Sequence, residues 1–94
     1  MLDLSVTTKF KKDLKMCAKQ HKDLDLLKKV VDTLRIPQPL PPHYKDHNLH
    51  GNYEGTRECH LDGYKGDWLL IYRVPKDENL LILERTGSHS DLFR

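Results

Sequence analysis

Apolar positions repeat with a helical period in the first third of the chain and with a strand period in the last third. The opening "LDLSV" alternates and is β-branched at its end, which predicts a short strand over residues 2–6. In "KFKKDLKMCAKQ", Phe10, Leu14, Cys17 and Ala18 fall at i, i+4, i+7 and i+8, one stripe of a helix, with Lys11, Lys15, Lys19 and Lys22 on the other side. Thr7 or Thr8 supplies an N-cap oxygen. A second helix begins near Asp23 with Leu27, Val30, Val31 and Leu34 inward. It must stop before "PQPLPP", because proline cannot continue the hydrogen-bond ladder and turns its predecessor out of the helical region. The short polar link near His21 predicts that the two helices run antiparallel.

Residues 37–54 are rich in Pro, His and Asn and show no apolar period, a loop of the length that often carries function. Three strand candidates follow, "TRECHL", "DWLLIYRV" and "NLLILERT", joined by "DGYKG" and "PKDE", which carry turn chemistry. The pattern predicts one α+β domain over residues 1–94 in the order β-α-α-β-β-β. Its two antiparallel helices pack on a twisted, mainly antiparallel four-stranded sheet. With "PKDE" as a turn, outward pairing sets Trp68 opposite Arg85. With "DGYKG" as the other, His60 and Leu61 end beside Asp67 and Trp68. His60, Asp67, Trp68 and Arg85 therefore meet at one end of the sheet, and the segment after Arg85 delivers His89 to the same rim.

Composition narrows the setting. Charged residues are 32% and hydrophobic residues 37%, polar for a globule but not the composition of a disordered chain. No apolar run approaches membrane-spanning length and "MLDLSVTTKFKK" lacks the form of a signal peptide, so the expected setting is the cytoplasm, with no membrane partner. Cys17 and Cys59 suit that compartment as reduced core residues without CxxC spacing. The net charge of +2 conceals an asymmetry: residues 1–30 hold eight Lys against four Asp, and the remainder is acidic on balance. A polyanion met from one side fits that distribution, and so does a plain solvated helix face.

Two imidazoles, a carboxylate and a guanidinium at one edge suit cleavage of RNA by its own 2′-hydroxyl. Imidazoles exchange protons near neutrality, and a guanidinium steadies oxygen anions without deprotonating. The same groups could equally form an inert salt-bridge cluster. Metal binding is the rival use of six histidines. His43, His47 and His50 have chelating spacing only on a helix, which Pro41, Pro42 and Gly51 oppose, so no metal and no cofactor is expected.

The strings "YKDHNLHGNYEGTRECHL", "DWLLIYRV" and "ERTGSHSDLF" together resemble the YafQ branch of the RelE/ParE toxin superfamily. "KQHKDLDLLKKV" looks like that branch's interhelical segment, so the likeness spans nearly the whole chain. The resemblance implies a RelE-like fold and a toxin of a type II toxin–antitoxin pair, an endoribonuclease that cuts messenger RNA in the ribosomal A site. Its partners would then be the ribosome, mRNA and an antitoxin that also binds DNA. Carried over by position, it implies His89 as general acid and His47 as the favoured base, with Asp67 assisting. Arg85 would hold the scissile phosphate, Phe93 would stack on a base and His60 would support the site. The strand acid is Glu58 where close relatives often have Asp, and its role is left open.

Each residue also has a plainer reading. Trp68, grouped with the substrate-binding residues, starts a strand and can equally be core; Phe93 can pin the tail; Arg85 can pair with Glu84 or Asp67 for stability alone. Lys11, Lys15 and Lys19 can bind RNA phosphates or merely solubilise a helix. Two rival functions remain: a gyrase-binding toxin without nuclease activity, which has no need of His47, His60 and His89 together, and a binding module whose site has decayed.

Overall fold

The computed structural model describes residues 1–36, 38–63 and 66–93; the middle of the expected "DGYKG" connection lies outside them. The chain runs β1 (Asp3–Val6), α1 (Thr8–Lys19), α2 (Leu24–Arg35), β2 (His47–Asn48), β3 (Arg57–His60), β4 (Leu69–Arg73), β5 (Leu80–Gly87) and α3 (His89–Leu92). Short 3₁₀ turns at Pro42–Tyr44 and Gly51–Tyr53 occupy the expected loop. Thr7, not Thr8, caps α1, its hydroxyl accepting from the Phe10 N–H at 3.0 Å. Asp23 caps α2.

The sheet has five strands in the order β1-β5-β4-β3-β2, which corrects the expected four. The sheet is mixed, because β1 pairs parallel with β5, from Asp3 opposite Leu80 to Val6 opposite Leu83. The additional strand is β2, only two residues long and paired antiparallel with β3. Neither feature has a local signal: the β1–β5 contact spans nearly the whole sequence, and two residues carry no period.

Both helices lay their stripes on one face of the sheet. Phe10, Cys17, Leu27, Val30, Val31 and Leu34 are buried there against Cys59, Leu70, Tyr72, Leu81 and Leu83. Ala18, expected in the stripe, is exposed. The opposite face carries a smaller apolar cluster of Leu69, Ile71 and Leu92, flanked by Leu49 and Tyr53. Strand β4 is thus covered on both sides, the reason "LLIY" reads as an unbroken apolar run.

The β4–β5 register corrects the expected Trp68–Arg85 pairing. Arg85 stands opposite Ile71 and Gly87 opposite Leu69, with an irregularity at Ile71/Tyr72 that leaves Glu84 as the extra residue on β5. Trp68 turns inward, only 2% exposed, so its indole belongs to the core and offers substrate almost no surface. Its N–H donates to the Thr86 hydroxyl at 2.9 Å, and that hydroxyl donates to the Leu69 carbonyl at 2.8 Å. Trp68→Phe should therefore destabilise the fold by about 1–3 kcal/mol through lost packing and the lost buried hydrogen bond. Urea unfolding checks this; an unchanged midpoint with an unchanged slope would contradict the buried role.

Candidate functional site

Pleating aims the site. Glu58 and His60 are two apart on β3 and share the face away from α1 and α2, while Cys59 between them enters the core. His47 on β2 is the register partner of Glu58. Its Nε2 lies 3.2 Å from Glu58 Oε2, and its Nδ1 lies 2.6 Å from the Lys45 carbonyl oxygen. His60 is buried, with Nε2 3.8 Å from the same carboxylate oxygen. The Glu58 side chain is 4% exposed, and its other oxygen, Oε1, is buried without a hydrogen-bond partner among the described residues.

The turn that presents His47 is braced from behind. Lys45 takes the left-handed conformation at φ 51°. Asp46 accepts hydrogen bonds from the Tyr72 hydroxyl at 2.7 Å and from Arg57 Nε at 3.2 Å, and Arg57 also donates to Asn48 Oδ1 at 2.7 Å. Burial, then the Asp46 carboxylate, pushes the Tyr72 phenol up, so it keeps the proton it donates.

The far side of the site comes from the end of β5. His60, Leu69 and Gly87 form one cross-strand row, and Glu58, Ile71 and Arg85 the next. Gly87 lies at φ +156°, and a Cβ there would come 3.3 Å from Asp91 Cβ and 3.4 Å from Leu92 Cδ2. The missing side chain lets α3 settle against the strand. A reciprocal cap fixes the entry to α3: Ser88 Oγ accepts from Asp91 N and Asp91 Oδ2 accepts from Ser88 N. Asp67 then takes both the backbone N–H of His89 at 3.0 Å and its ring Nδ1 at 2.5 Å on one oxygen, Oδ1. The His89 ring stands 5.7 Å from His60 and 6.0 Å from Phe93, centroid to centroid. Phe93 meets Tyr53 edge-on at 5.4 Å, and Tyr53 anchors α3 by donating to the Leu92 carbonyl at 3.1 Å.

His47, His60, Asp67 and His89 are thus brought together. Arg85 lies in the row of His47 and Glu58, one row from His60 and about 10 Å from Glu58 by two strand spacings. Its guanidinium pairs with neither Glu84 nor Asp67. It grips Asp13 of α1 instead, Nε to Oδ2 at 2.7 Å and a terminal nitrogen to Oδ1 at 3.1 Å. Asp13 also accepts the Thr86 N–H at 3.2 Å, because β1 ends opposite Leu83 and leaves that edge of β5 open. This partner holds the Arg85 guanidinium above its ordinary value. Phe93 is 41% exposed. Lys11, Lys15 and Lys19 are exposed on α1, whereas the α1 lysines bordering cavities beside the site are Lys9 and Lys12.

Sequence reasoning left three supporting acids without a role: Glu58, Asp46 and Asp13. Glu58 alone had a signal, as the acid of the "RECH" strand string by which the chain resembles its relatives. Glu58, His60 and His89 each offer a ligand atom, all within 4.8 Å of one another, so this trio could hold a metal ion. The loop histidines do not converge: His43 stacks on Tyr44, His47 meets Glu58, and His50 reaches Glu54 at 3.5 Å.

The two contacts from His89, backbone first and ring second, hold the Asp67 carboxyl below its usual value. Its carboxyl carbon should titrate by NMR with a midpoint under that of an ordinary aspartate, about 3.9. The stabilisation from this pair is then complete above that pH and is lost as pH falls through the lower, folded value. His89→Ala should move the midpoint back up; an ordinary midpoint in the intact protein would contradict the pairing.

A family model described as "Bacterial toxin of type II toxin-antitoxin system, YafQ" matches residues 2–94. The mRNA interferase toxin YafQ of Escherichia coli is 42% identical over 93 residues, covering 97% of this chain and 95% of that protein. A metal-bound toxin from Helicobacter pylori superposes with a TM-score of 0.88 at 52% identity, covering 99% of this chain and all of the other. YafQ in the E. coli DinJ–YafQ toxin–antitoxin complex superposes with a TM-score of 0.85 at 40% identity, over 99% of this chain and 98% of the other. The chain belongs to the YafQ family of bacterial type II toxins.

Proposed function

We propose that this chain, as one toxin domain over residues 1–94, is a ribosome-dependent endoribonuclease that cuts mRNA in the A site by attack of the 2′-hydroxyl on the neighbouring phosphate. The products are a cyclic phosphate and a 5′-hydroxyl. An antitoxin of the kind seen bound to E. coli YafQ holds it in check, and the reaction belongs to the cytoplasm. No described helix is long and apolar enough to cross a membrane. The observation that carries this reading is the pair of carboxylate-bound imidazoles on one sheet face, His47 on Glu58 and His89 on Asp67.

The proton arithmetic assigns the two ends. A carbonyl oxygen can only accept, so His47 Nδ1 carries a proton to Lys45, and Nε2 faces Glu58. If Glu58 is ionised, both nitrogens are protonated, so His47 becomes a base only by passing the Nε2 proton to Glu58. The pair, rather than either residue, is the unit that takes the 2′-hydroxyl proton. At the other end Asp67 accepts from His89 Nδ1, which leaves Nε2 to protonate the departing 5′-oxygen. Asp67, expected to assist, does so in this reading on the acid, fixing its ring and favouring its charged form. Arg85 retains N–H groups beyond the two that bind Asp13 and offers them to the phosphate as charge develops. His60 lies between the two pairs and steadies Glu58, and Phe93 takes a base by stacking.

No step requires a metal. An ion on Glu58, His60 and His89 would occupy the groups that hold and deliver protons, so toxin stripped with a chelator, and freed of it before meeting ribosomes in their usual magnesium buffer, should cut undiminished. Loss of activity in the stripped toxin, restored by adding back a transition metal, would overturn the metal-free reading. His89→Ala should slow single-turnover cutting on programmed ribosomes by about 10²–10⁴-fold. Cutting at the wild-type rate would remove His89 as the acid, and gyrase–DNA cleavage complexes in place of cut messenger would favour the gyrase-binding alternative.

A further inference from the structure

A cavity of about 500 Å³ opens beside the acid, lined by Lys9, His50, Asn52, Tyr53, Leu92 and Phe93. None of the proton-transfer residues lines it, yet it shares a wall with them, because Phe93 stands 6.0 Å from the His89 ring. The volume falls within the range of small-ligand sites, about 300–1000 Å³. Three features of its lining are complementary to one nucleotide. Phe93 and Tyr53 are packed edge to face, and Tyr53 is pinned by its bond to the Leu92 carbonyl, so the aromatic wall is fixed before a ligand arrives. Asn52 is exposed in the Gly51–Tyr53 turn, and its side-chain amide makes no hydrogen bond to another described residue. Lys9 is exposed at the start of α1, likewise without an ion pair among the described residues. Among the described residues no carboxylate lines the cavity, and the Glu54 carboxylate nearby is turned to His50.

We propose that this cavity seats the nucleotide on the 3′ side of the cut, with Asn52 reading the edge of its base and Lys9 holding the phosphate that follows. The assignment rests on the nuclease reading above. His89 protonates the oxygen that stays with the 3′ nucleotide, so the space next to His89 belongs to that nucleotide. A flat base lies against Phe93 and Tyr53, a contact indifferent to sequence. The amide of Asn52 presents a donor and an acceptor side by side, which distinguishes bases by their hydrogen-bonding edges. An ammonium on a phosphate adds affinity without sequence information. Asn52 and Lys9 are binding residues here and take no part in proton transfer.

The test maps cut sites on a messenger with randomised codons, in ribosome complexes with the full chain and its variants. Asn52→Ala should flatten the base preference at the first position 3′ of the cut by about tenfold, leaving other positions as they were. Lys9→Ala should lower cutting of all sequences alike. His89→Ala, by contrast, slows cutting at every site without redistributing it. An unaltered preference in both Asn52→Ala and Asn52→Asp overturns the proposal while the nuclease reading stands. If the wild-type chain cuts nothing, the nuclease reading fails, and the cavity is still decided by NMR titration with an uncleavable 2′-deoxy tetranucleotide. Shifts centred on Asn52 and Phe93 that Asn52→Ala weakens support it; shifts elsewhere, or none, overturn it.

Discussion

A carboxylate removed from water has to be compensated by its neighbours, and in this molecule that requirement falls on Glu58. Its side chain is 4% exposed, one oxygen has no hydrogen-bond partner among the described residues, and the other faces two imidazoles. The surroundings are consistent with that demand. His47 sits opposite Glu58 because β2 pairs with β3 for just two residues, and Asp46, Arg57 and Tyr72 brace the turn that makes such a short strand possible. A structural role alone would be met as well by an apolar residue on this face, where Leu69 and Ile71 already supply packing. The proposed proton chemistry gives this buried carboxyl a use that packing does not.

The second carboxylate works under opposite conditions. Asp67 is exposed and gains little from low dielectric; its hold on His89 comes from geometry, one oxygen receiving both the backbone N–H that opens α3 and the ring nitrogen. A helix of four residues has little stability of its own. Its place is set by the Ser88–Asp91 cap, by Gly87 beneath it and by the Tyr53 hydroxyl on Leu92. His89 thus stands on a short element pinned at several points, His47 on a braced turn, and the β3–β4–β5 ladder fixes the distance between them. The cation is treated in the same way: Asp13 seals the open edge of β5 and orients Arg85 in a single contact.

Much of this could be read from residue order. The helical stripes, the three-strand meander and the gathering of His60, Asp67 and His89 at one end all follow from period and turn chemistry, since they depend on neighbours close in sequence. The failures are non-local. The β1–β5 pairing, the Asp13–Arg85 contact and the β2 strand depend on segments that meet only in the folded chain. The expected pairing of Trp68 with Arg85 is three residues out: the β4–β5 connection pairs Arg73 with Ile82, two residues wider than "PKDE" alone allows, and the bulge at Glu84 adds the third, neither of which leaves a reliable mark in a single sequence. Glu58, set between Arg57 and Cys59, carries no mark of burial in the sequence, and its two imidazole neighbours are equally hidden.

Glu58→Gln separates a chemical from an architectural use of the buried Glu58 carboxyl. Stability by urea unfolding should stay within about 1 kcal/mol of wild type, since a neutral amide of the same shape removes a desolvated charge. Single-turnover cleavage of ribosome-bound messenger should fall by about 10²-fold or more in the same protein, because the 2′-hydroxyl proton loses its acceptor pair. Wild-type cleavage by a stably folded Glu58→Gln variant would contradict the account.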